Sequence, residues 1–413
     1  MHSYNKAFFE QLDRQDPLRR FRDEFVLSED EIYLDGNSLG AQPKAALAKA
    51  QEVVAEQWGT DLIRSWNRHH WFQLPQRLGD KIARLIGADQ DEVICTDGTG
   101  LNVYKAISAG LSLRPERRVI LLEGSNFPTD NYMVQGLVAQ LGHRHEIRFA
   151  EEDELLAAIN EEVAVVCLTQ VHYKTGRVLD MAAITRYAQE RGCVVIWDLC
   201  HSAGALPVDL NGCHADMAIG CTYKYLNGGP GSPAFIFVAK RHQGAALQPL
   251  TGWWGHAAPF TFERDYRPAP GINQMLTGTQ GIISMAVAEV GIDLMLEASM
   301  EQIREKSQAL TQYFIELINS ECAEYGFVLA SPEDKERRGS QVALSHEHGY
   351  PIMQAVIDAG VIGDFRAPDI LRFGFTPLYT RYVDVWNAVS RIKKVMARET
   401  WRSPVYNQRH AVT

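Results

Sequence analysis

The sequence predicts an α/β protein: a large domain on a mostly parallel, doubly wound sheet of seven strands, followed by a smaller α+β domain. Three observations carry that prediction. Between about residues 76 and 240, short β-rich runs alternate with helical segments, the pattern of strand–helix–strand crossovers. After about residue 284 the alternation stops, and a long helical pattern over 284–319 leads into short strands, a glycine-rich stretch and a final helix near 384–399. At 413 residues the chain exceeds the size at which one core keeps growing, so one large and one smaller domain is expected. The divisions fall at 1–40 for an N-terminal segment, 41–284 for the large domain and 285–413 for the small one.

Taken in order, residues 5–25 carry an amphipathic helical pattern. Glu31-Ile32-Tyr33-Leu34 reads as a short strand running into the turn Asp35-Gly36-Asn37-Ser38-Leu39-Gly40, and a helical pattern follows over about 43–58. The seven strands of the sheet are read at 92–96, 119–123, 146–149, 164–168, 193–198, 217–220 and 234–238. Ligands of such sheets bind at the carboxyl ends of the strands. The charged, proline-containing stretch 330–339 reads as a loop.

Composition narrows the functional class. The chain is 46% hydrophobic and 22% charged, as soluble globular proteins are. Its net charge of −10, with no long basic run, weighs against nucleic acid or an anionic membrane as the main partner while leaving room for a small anionic ligand. Seven cysteines, at 95, 167, 193, 200, 213, 221 and 322, show no CxxC pair or framework spacing, which points to a reducing compartment. The N-terminus has no apolar signal core, and no uncharged apolar run is long enough to span a bilayer, so a cytoplasmic location is expected. His69-His70 and His346-Glu347-His348 lack a third ligand at useful spacing, and no metal is expected.

The chemistry concentrates at two strand ends. Asp198 closes the apolar run 193–198, and Tyr223-Lys224 follows the stretch 217–222 and precedes Leu226-Asn227-Gly228-Gly229. A carboxylate and a lysine so placed suit pyridoxal phosphate (PLP): the amine takes up the aldehyde, and the carboxylate holds the pyridinium nitrogen protonated so that the ring accepts electrons. Alone, a solvated lysine is the commoner reading, so the weight rests on the neighbours. Thr96-Asp97-Gly98-Thr99-Gly100-Leu101-Asn102 follows a strand and opens a helix, where backbone amides can hold a phosphate dianion and Thr99 adds a hydroxyl. A plain strand–helix turn would look the same.

Phe127-Pro128-Thr129-Asp130 offers an aromatic lid for the pyridine, with Asp130 where a helix N-cap often stands; a structural staple and cap is the competing reading. His201 lies three residues after Asp198 and is expected near the cofactor. Arg372 stands in the apolar run Leu371-Arg372-Phe373-Gly374. A buried arginine demands a carboxylate, either a structural partner or the α-carboxylate of an amino-acid substrate.

Five segments then occur in one order: Leu34-Asp35-Gly36-Asn37-Ser38-Leu39-Gly40, Phe127-Pro128-Thr129-Asp130, Asp198-Leu199-Cys200-His201, Tyr223-Lys224-Tyr225-Leu226-Asn227 and Gly252-Trp253-Trp254-Gly255-His256. Together they resemble the kynureninase family, fold-type I PLP-dependent enzymes akin to the class V aminotransferases, over essentially the whole chain from about residue 30. The resemblance implies a fold-type I transferase-like architecture and PLP as cofactor. By the same resemblance Lys224 is the covalent lysine, Asp198 the pyridinium partner, Phe127 the ring cover with Asp130 beside it, and Thr99 and Gly100 the phosphate holders. Tyr223 and Trp253 would also reach the phosphate, Trp253 from the second subunit of a homodimer. Thr169, His201 and Thr279 would complete the cofactor shell. Arg372 would grip the substrate carboxylate, with Ser38 and Trp66 near the substrate. Gly100 stands where the family is expected to carry a hydroxyl residue, so the phosphate keeps a backbone contact there and loses a side-chain one.

The activity so implied is hydrolysis of L-kynurenine to anthranilate and L-alanine, in tryptophan catabolism and pyridine nucleotide biosynthesis. Lys224 would move the Cα proton and Tyr223 would relay a proton to the product. Thr279, where relatives that favour the 3-hydroxy substrate carry Asn, tilts the expectation towards plain kynurenine. The rivals are a cysteine desulfurase or a small-substrate aminotransferase. A desulfurase needs a reactive cysteine in the smaller domain, and Cys322 behind the helical pattern 284–319 is poorly placed for that. A nicotinamide dehydrogenase lacks its GxGxxG turn here, and a non-catalytic PLP-binding regulator would be expected to lose the lysine or gain a DNA-binding module.

Overall fold

Strands β1 (Ile32–Tyr33), β2 (Val93–Cys95), β3 (Val119–Glu123), β4 (Glu146–Ala150), β5 (Val163–Thr169), β6 (Val194–Asp198), β7 (Met217–Gly220) and β8 (Phe235–Val238) appear in the first 240 residues of the computed structural model, which describes residues 4–409. Strands β2 to β8 form one seven-stranded sheet in the order β2-β8-β7-β6-β5-β3-β4. All seven lie where the residue pattern places them, and β8 alone runs against the other six. Their residues alternate between two cores, one on each face. Val93, Leu121, Val195, Trp197 and Phe235 face one, and Ile94, Ile120, Ile196, Ile219 and Ile236 face the other. That double burial is why most of these strands read as continuous apolar runs. The outermost strand, β4, is the exception, with exposed Glu146 and Phe149.

The smaller α+β unit holds an antiparallel sheet of β9 (Val328–Leu329), β10 (Gln341–Ser345), β12 (Asp364–Arg366) and β13 (Ile370–Gly374), in the order β12-β13-β10-β9. Strand β11 (Val361–Ile362) pairs in parallel with β1. Phe9, Ile32 and Leu34 from the N-terminal segment share one core with Phe314, Phe373 and Phe375. The turn at 35–40 therefore arrives at the sheet junction anchored in the smaller unit's core.

Three helical patterns break where the sequence reads them as continuous. The pattern over 5–25 becomes an α-helix at Lys6–Gln15 and a 3-10 helix at Arg19–Glu24, because Pro17 cannot continue the first. The pattern over 43–58 is α-helical only at Lys44–Gln51 and then widens to π-helical geometry over Glu52–Asp61. The pattern over 284–319 is two helices, Ile282–Leu296 and Met300–Glu321, with the Ser299 side chain accepting from the Gln302 amide to cap the second.

Candidate active site

Asp198 is the last residue of β6, in register with Thr169 on β5 and Ile219 on β7, so it sits at the carboxyl edge of the parallel sheet. Lys224 follows β7 at the same edge, in a turn closed by two backbone bonds: Asn227 N–H to the Lys224 carbonyl (2.9 Å) and Gly228 N–H to the Thr222 carbonyl (2.8 Å). Asn227 takes the left-handed conformation (φ 54°) that this turn needs. Two glycines let other elements press onto it. Gly40 donates its N–H to the Tyr223 carbonyl (2.8 Å), and a Cβ there would overlap the Lys224 carbonyl oxygen. A Cβ at Gly291, in the helix Ile282–Leu296, would stand 2.5 Å from the Leu226 and Asn227 carbonyl oxygens.

The Lys224 Nζ lies 3.4 Å from His201 Nε2, 5.9 Å from the centre of the Phe127 ring and 5.7 Å from that of Tyr223. Burial, and then the Lys224 charge, hold the His201 imidazole neutral, well below its ordinary range. Asp198 Oδ1 accepts from the Cys200 amide (2.7 Å). Asp130 is fully enclosed close to Asp198, and burial followed by the Asp198 charge raises its carboxyl well above the usual carboxylate range. Asn126 Nδ2 donates to Asp130 Oδ2 (2.9 Å). Asp130 is not the helix cap: Phe127 holds that position and Asp130 is the third residue of the helix Pro128–Gln140. Freed from capping, its carboxyl turns towards Asp198.

The helix Thr99–Ser112 begins after Gly98 with no side-chain cap, so the amides of its first turn are unclaimed by one. A Cβ at Gly98 would meet nothing within 4 Å. Thr99 Oγ1 lies 3.9 Å from Cys200 Sγ, which brings this turn beside the end of β6. Asp97, paired with the buried Lys105, ties the turn to 277–280: its N–H donates to Gln280 Oε1 (3.0 Å) and its Oδ1 accepts from Thr277 (3.3 Å).

Arg372 and Ser38 meet at the smaller unit. Arg372 Nε donates to Asp364 Oδ1 (2.8 Å), Nη2 pairs with Asp364 Oδ2 and donates to Ser38 Oγ (2.9 Å), and Nη1 donates to the Tyr173 carbonyl. Ser38 Oγ in turn donates to Asp364 Oδ2 (2.8 Å). The Tyr173 ring stands edge-on to Phe127 (5.2 Å), joining this cluster to the lysine site. Thr169 Oγ1 donates to the Val171 carbonyl (3.1 Å). Thr279 and Trp66 line a cavity of about 690 Å³ with Gly228, Gly229 and Ile282. Trp66, Trp253 and Trp254 belong to an aromatic cluster with Phe72 and Phe260, and Trp253 is 40% exposed.

Lys224, His201, Asp198, Asp130, Phe127, Tyr223 and Thr99 are thus gathered at one sheet edge, with Gly100 in the first turn of the same helix. Trp66 and Thr279 line the cavity beside Gly228 and Gly229 of the lysine turn, and Trp253 stands in the aromatic cluster. Asp364, Tyr173 and Asn126 escape a reading of the sequence. The demand of buried Arg372 for a carboxylate was the available signal for Asp364, which β12 places opposite it in register.

These residues fit PLP. A lysine amine stands under an exposed aromatic face, a strand-end carboxylate shares its pocket with a second carboxyl and so calls for a positively charged N–H, and an uncapped helix N-terminus opens onto space.

The kynureninase C-terminal domain model matches residues 303–392. The chain is 53% identical to a kynureninase of Burkholderia mallei (strain SAVP1) over 407 residues, covering 97% of this chain and 98% of that one. It is 50% identical to a kynureninase of Pseudomonas fluorescens, with the same coverage. The chain belongs to the kynureninase family. Among solved structures, this kynureninase-family fold superposes on a cysteine desulfurase of Thermococcus onnurineus NA1 with a TM-score of 0.77 at 16% identity, covering 96% of this chain and 100% of that one. A variant of C-DES with glycine covalently linked to its PLP cofactor gives 0.71 at 17% identity, over 95% and 99% of the chains. At such identities these likenesses speak to the fold, which is fold-type I.

Proposed function

We propose that this protein is a PLP-dependent kynureninase, a hydrolase that cleaves the Cβ–Cγ bond of L-kynurenine to give anthranilate and L-alanine. The observation that carries the reading is the 50–53% identity to kynureninases along 97% of the chain, joined to a Lys224–Asp198–Phe127 site suited to the cofactor. PLP supplies an aldehyde for the substrate amine and a ring that stores the electron pair left when the Cα proton departs. The chain's own residues do the rest.

With PLP bound, Lys224 Nζ would remove the Cα proton, and neutral His201, 3.4 Å away, could accept a hydrogen bond from the resulting ammonium. Asp198 keeps a positive N–H in place, and the largely neutral Asp130 donates to Asp198 rather than repelling it. Burial raises the Tyr223 phenol well above its ordinary range, so it stays protonated and can deliver a proton to the alanine carbon. Thr99 and Gly100 hold the phosphate, Thr169 and Thr279 complete the shell, and Ser38 and Arg372 take the substrate's carboxylate end, with Trp66 beside the substrate.

Several finer readings belong to the same proposal. The working unit is a homodimer in which Trp253, 40% exposed and stacked on Trp254 within its own chain, completes the partner's phosphate site. All seven cysteines are free, consistent with a cytoplasmic location, and among the described residues no helix is long and apolar enough to cross a membrane. The domain division is read at about residue 284, although Met285, Ala288, Ile292 and Met295 of the helix Ile282–Leu296 pack into the large core and the smaller unit's core takes up the chain again from Leu310. Plain kynurenine is the favoured substrate over its 3-hydroxy form. The desulfurase alternative lacks support, because Cys322 is buried and its thiol is pushed up to about 12.

The test is direct. PLP-loaded protein mixed with L-kynurenine should release fluorescent anthranilate and an equal amount of alanine. Sulfide from cysteine, or lasting conversion of the cofactor to its amine form, with no anthranilate, would remove the assignment.

A further inference from the structure

In the seat described for the substrate carboxylate, Arg372 is nearly used up. Of its five N–H donors, four are engaged by Asp364, Ser38 and the Tyr173 carbonyl, and one on Nη1 remains. Its side chain is 2% exposed and that of Asp364 1%. An incoming carboxylate could win both forks of Arg372 only by displacing Asp364, which would leave a buried charge short of its partner.

The neighbouring Arg366 is in the opposite condition. It lies on β12 two residues beyond Asp364, opposite Ile370 of β13. Its Nη2 pairs with Asp364 Oδ2 (2.6 Å), its Nε is buried without a hydrogen-bond partner, and its side chain is 35% exposed. Burying an unpartnered guanidinium N–H is costly, and such a donor calls for a ligand. Arg372 Nη1 bonds the Tyr173 carbonyl, the Tyr173 ring touches Phe127 beside Lys224, and Arg366 is joined to Arg372 through Asp364. The arginine pair therefore stands on the Tyr173–Phe127 side of the lysine site.

We propose that Arg366 is a substrate-binding residue: it shares the α-carboxylate of the amino-acid substrate with the last free N–H of Arg372, while Asp364 stays in place as the fixed brace of both arginines. This rests on the amino-acid reading of the site given above. Asp364 is the one carboxylate bonded to both guanidinium groups, and the nearby Asp35, raised to about 7 by burial and then by the Asp364 charge, offsets them only in part, so a substrate carboxylate can pair with Arg366 without any ion pair being broken. A ligand lacking that carboxylate gains nothing from Arg366.

The test compares L-kynurenine with its decarboxylated amine, kynuramine, on the PLP-loaded protein. Arg366→Gln should raise KM for L-kynurenine about tenfold or more, well beyond any fall in kcat, and leave the inhibition constant of kynuramine within about threefold. Asp364 keeps Arg372 and Ser38 in that variant, so the fold should hold. Arg366→Lys, which retains the charge and loses the fork, should raise KM by a smaller factor with an unchanged melting midpoint. Equal weakening of both ligands would make Arg366 a structural residue and overturn the proposal, as would an unchanged KM. If the unaltered protein fails to turn over L-kynurenine, the functional assignment falls by itself. L-Alanine and L-alaninamide titrated against the cofactor's absorption band would then decide the role of Arg366: selective loss of L-alanine binding in the variant supports it, and parallel behaviour refutes it.

Discussion

In the proposed mechanism Lys224 changes between a free amine and an ammonium within each turnover, which a guanidinium cannot do. Lys224→Arg should therefore lower kcat by about a thousandfold or more while the melting midpoint holds, and near-normal anthranilate release would refute its role. His172 offers a separate test at the same scale. Its Nε2 donates to the Ser125 carbonyl (2.9 Å) and its Nδ1 accepts from the Thr175 amide (3.3 Å), bracing the segment that leads to Phe127. Burial, helped by Arg177 and Lys174 against that bond and Glu151, lowers its pKa to about 4. The folded state thus prefers neutral His172, so this contribution to stability is full above about pH 6.5 and lost as pH falls towards 4. Its slope approaches about 1.4 kcal/mol per pH unit. Unfolding free energies at pH 7.5 and 5.0 should differ less for His172→Asn than for the unaltered protein; equal differences would dismiss the effect. Asp198, His201, Lys224 and Phe127 were legible from sequence because each sits beside a strand end with a chemical reason to be there. Asp364 was not, because its partner lies across a hairpin whose register the residue pattern leaves open.

At the scale of elements, the position of Lys224 depends on close approaches that only glycine permits. Gly291→Val would drive a side chain into the carbonyls of Leu226 and Asn227. It should cost about 1–3 kcal/mol of stability and weaken PLP binding, read from the melting midpoint and from cofactor titration. An unchanged affinity for PLP would show that the helix Ile282–Leu296 does not support the lysine turn. The break before the next helix is governed by Ser299, and Ser299→Ala should cost about 1 kcal/mol in chemical denaturation with activity retained. Both helix breaks, at Pro17 and Ser299, are written in local chemistry. Helical periodicity alone passes over them, because it reports which face is apolar and not whether the backbone is continuous.

At the scale of the whole molecule, Trp58, Leu62, Ile63, Trp253, Phe260 and Phe262 leave large apolar side chains exposed. A homodimer would cover such surface and bring Trp253 to its partner's site. Sedimentation should give about twice the 46.4 kDa chain mass, and Trp253→Ala should raise the PLP dissociation constant; a monomer with full PLP affinity would remove the shared-site reading. By itself the sequence determined the α/β class, all seven sheet strands and the lysine–aspartate pair at their ends. These follow from local apolar runs and from residue types that one cofactor requires. Only the tertiary structure decided that the N-terminal segment packs into the smaller unit's core, that Asp130 turns to Asp198, and that Asp364 occupies Arg372 while Arg366 stands open. Those outcomes are set by contacts between residues far apart in the chain, where burial leaves each charge only the partners that neighbouring elements bring to it.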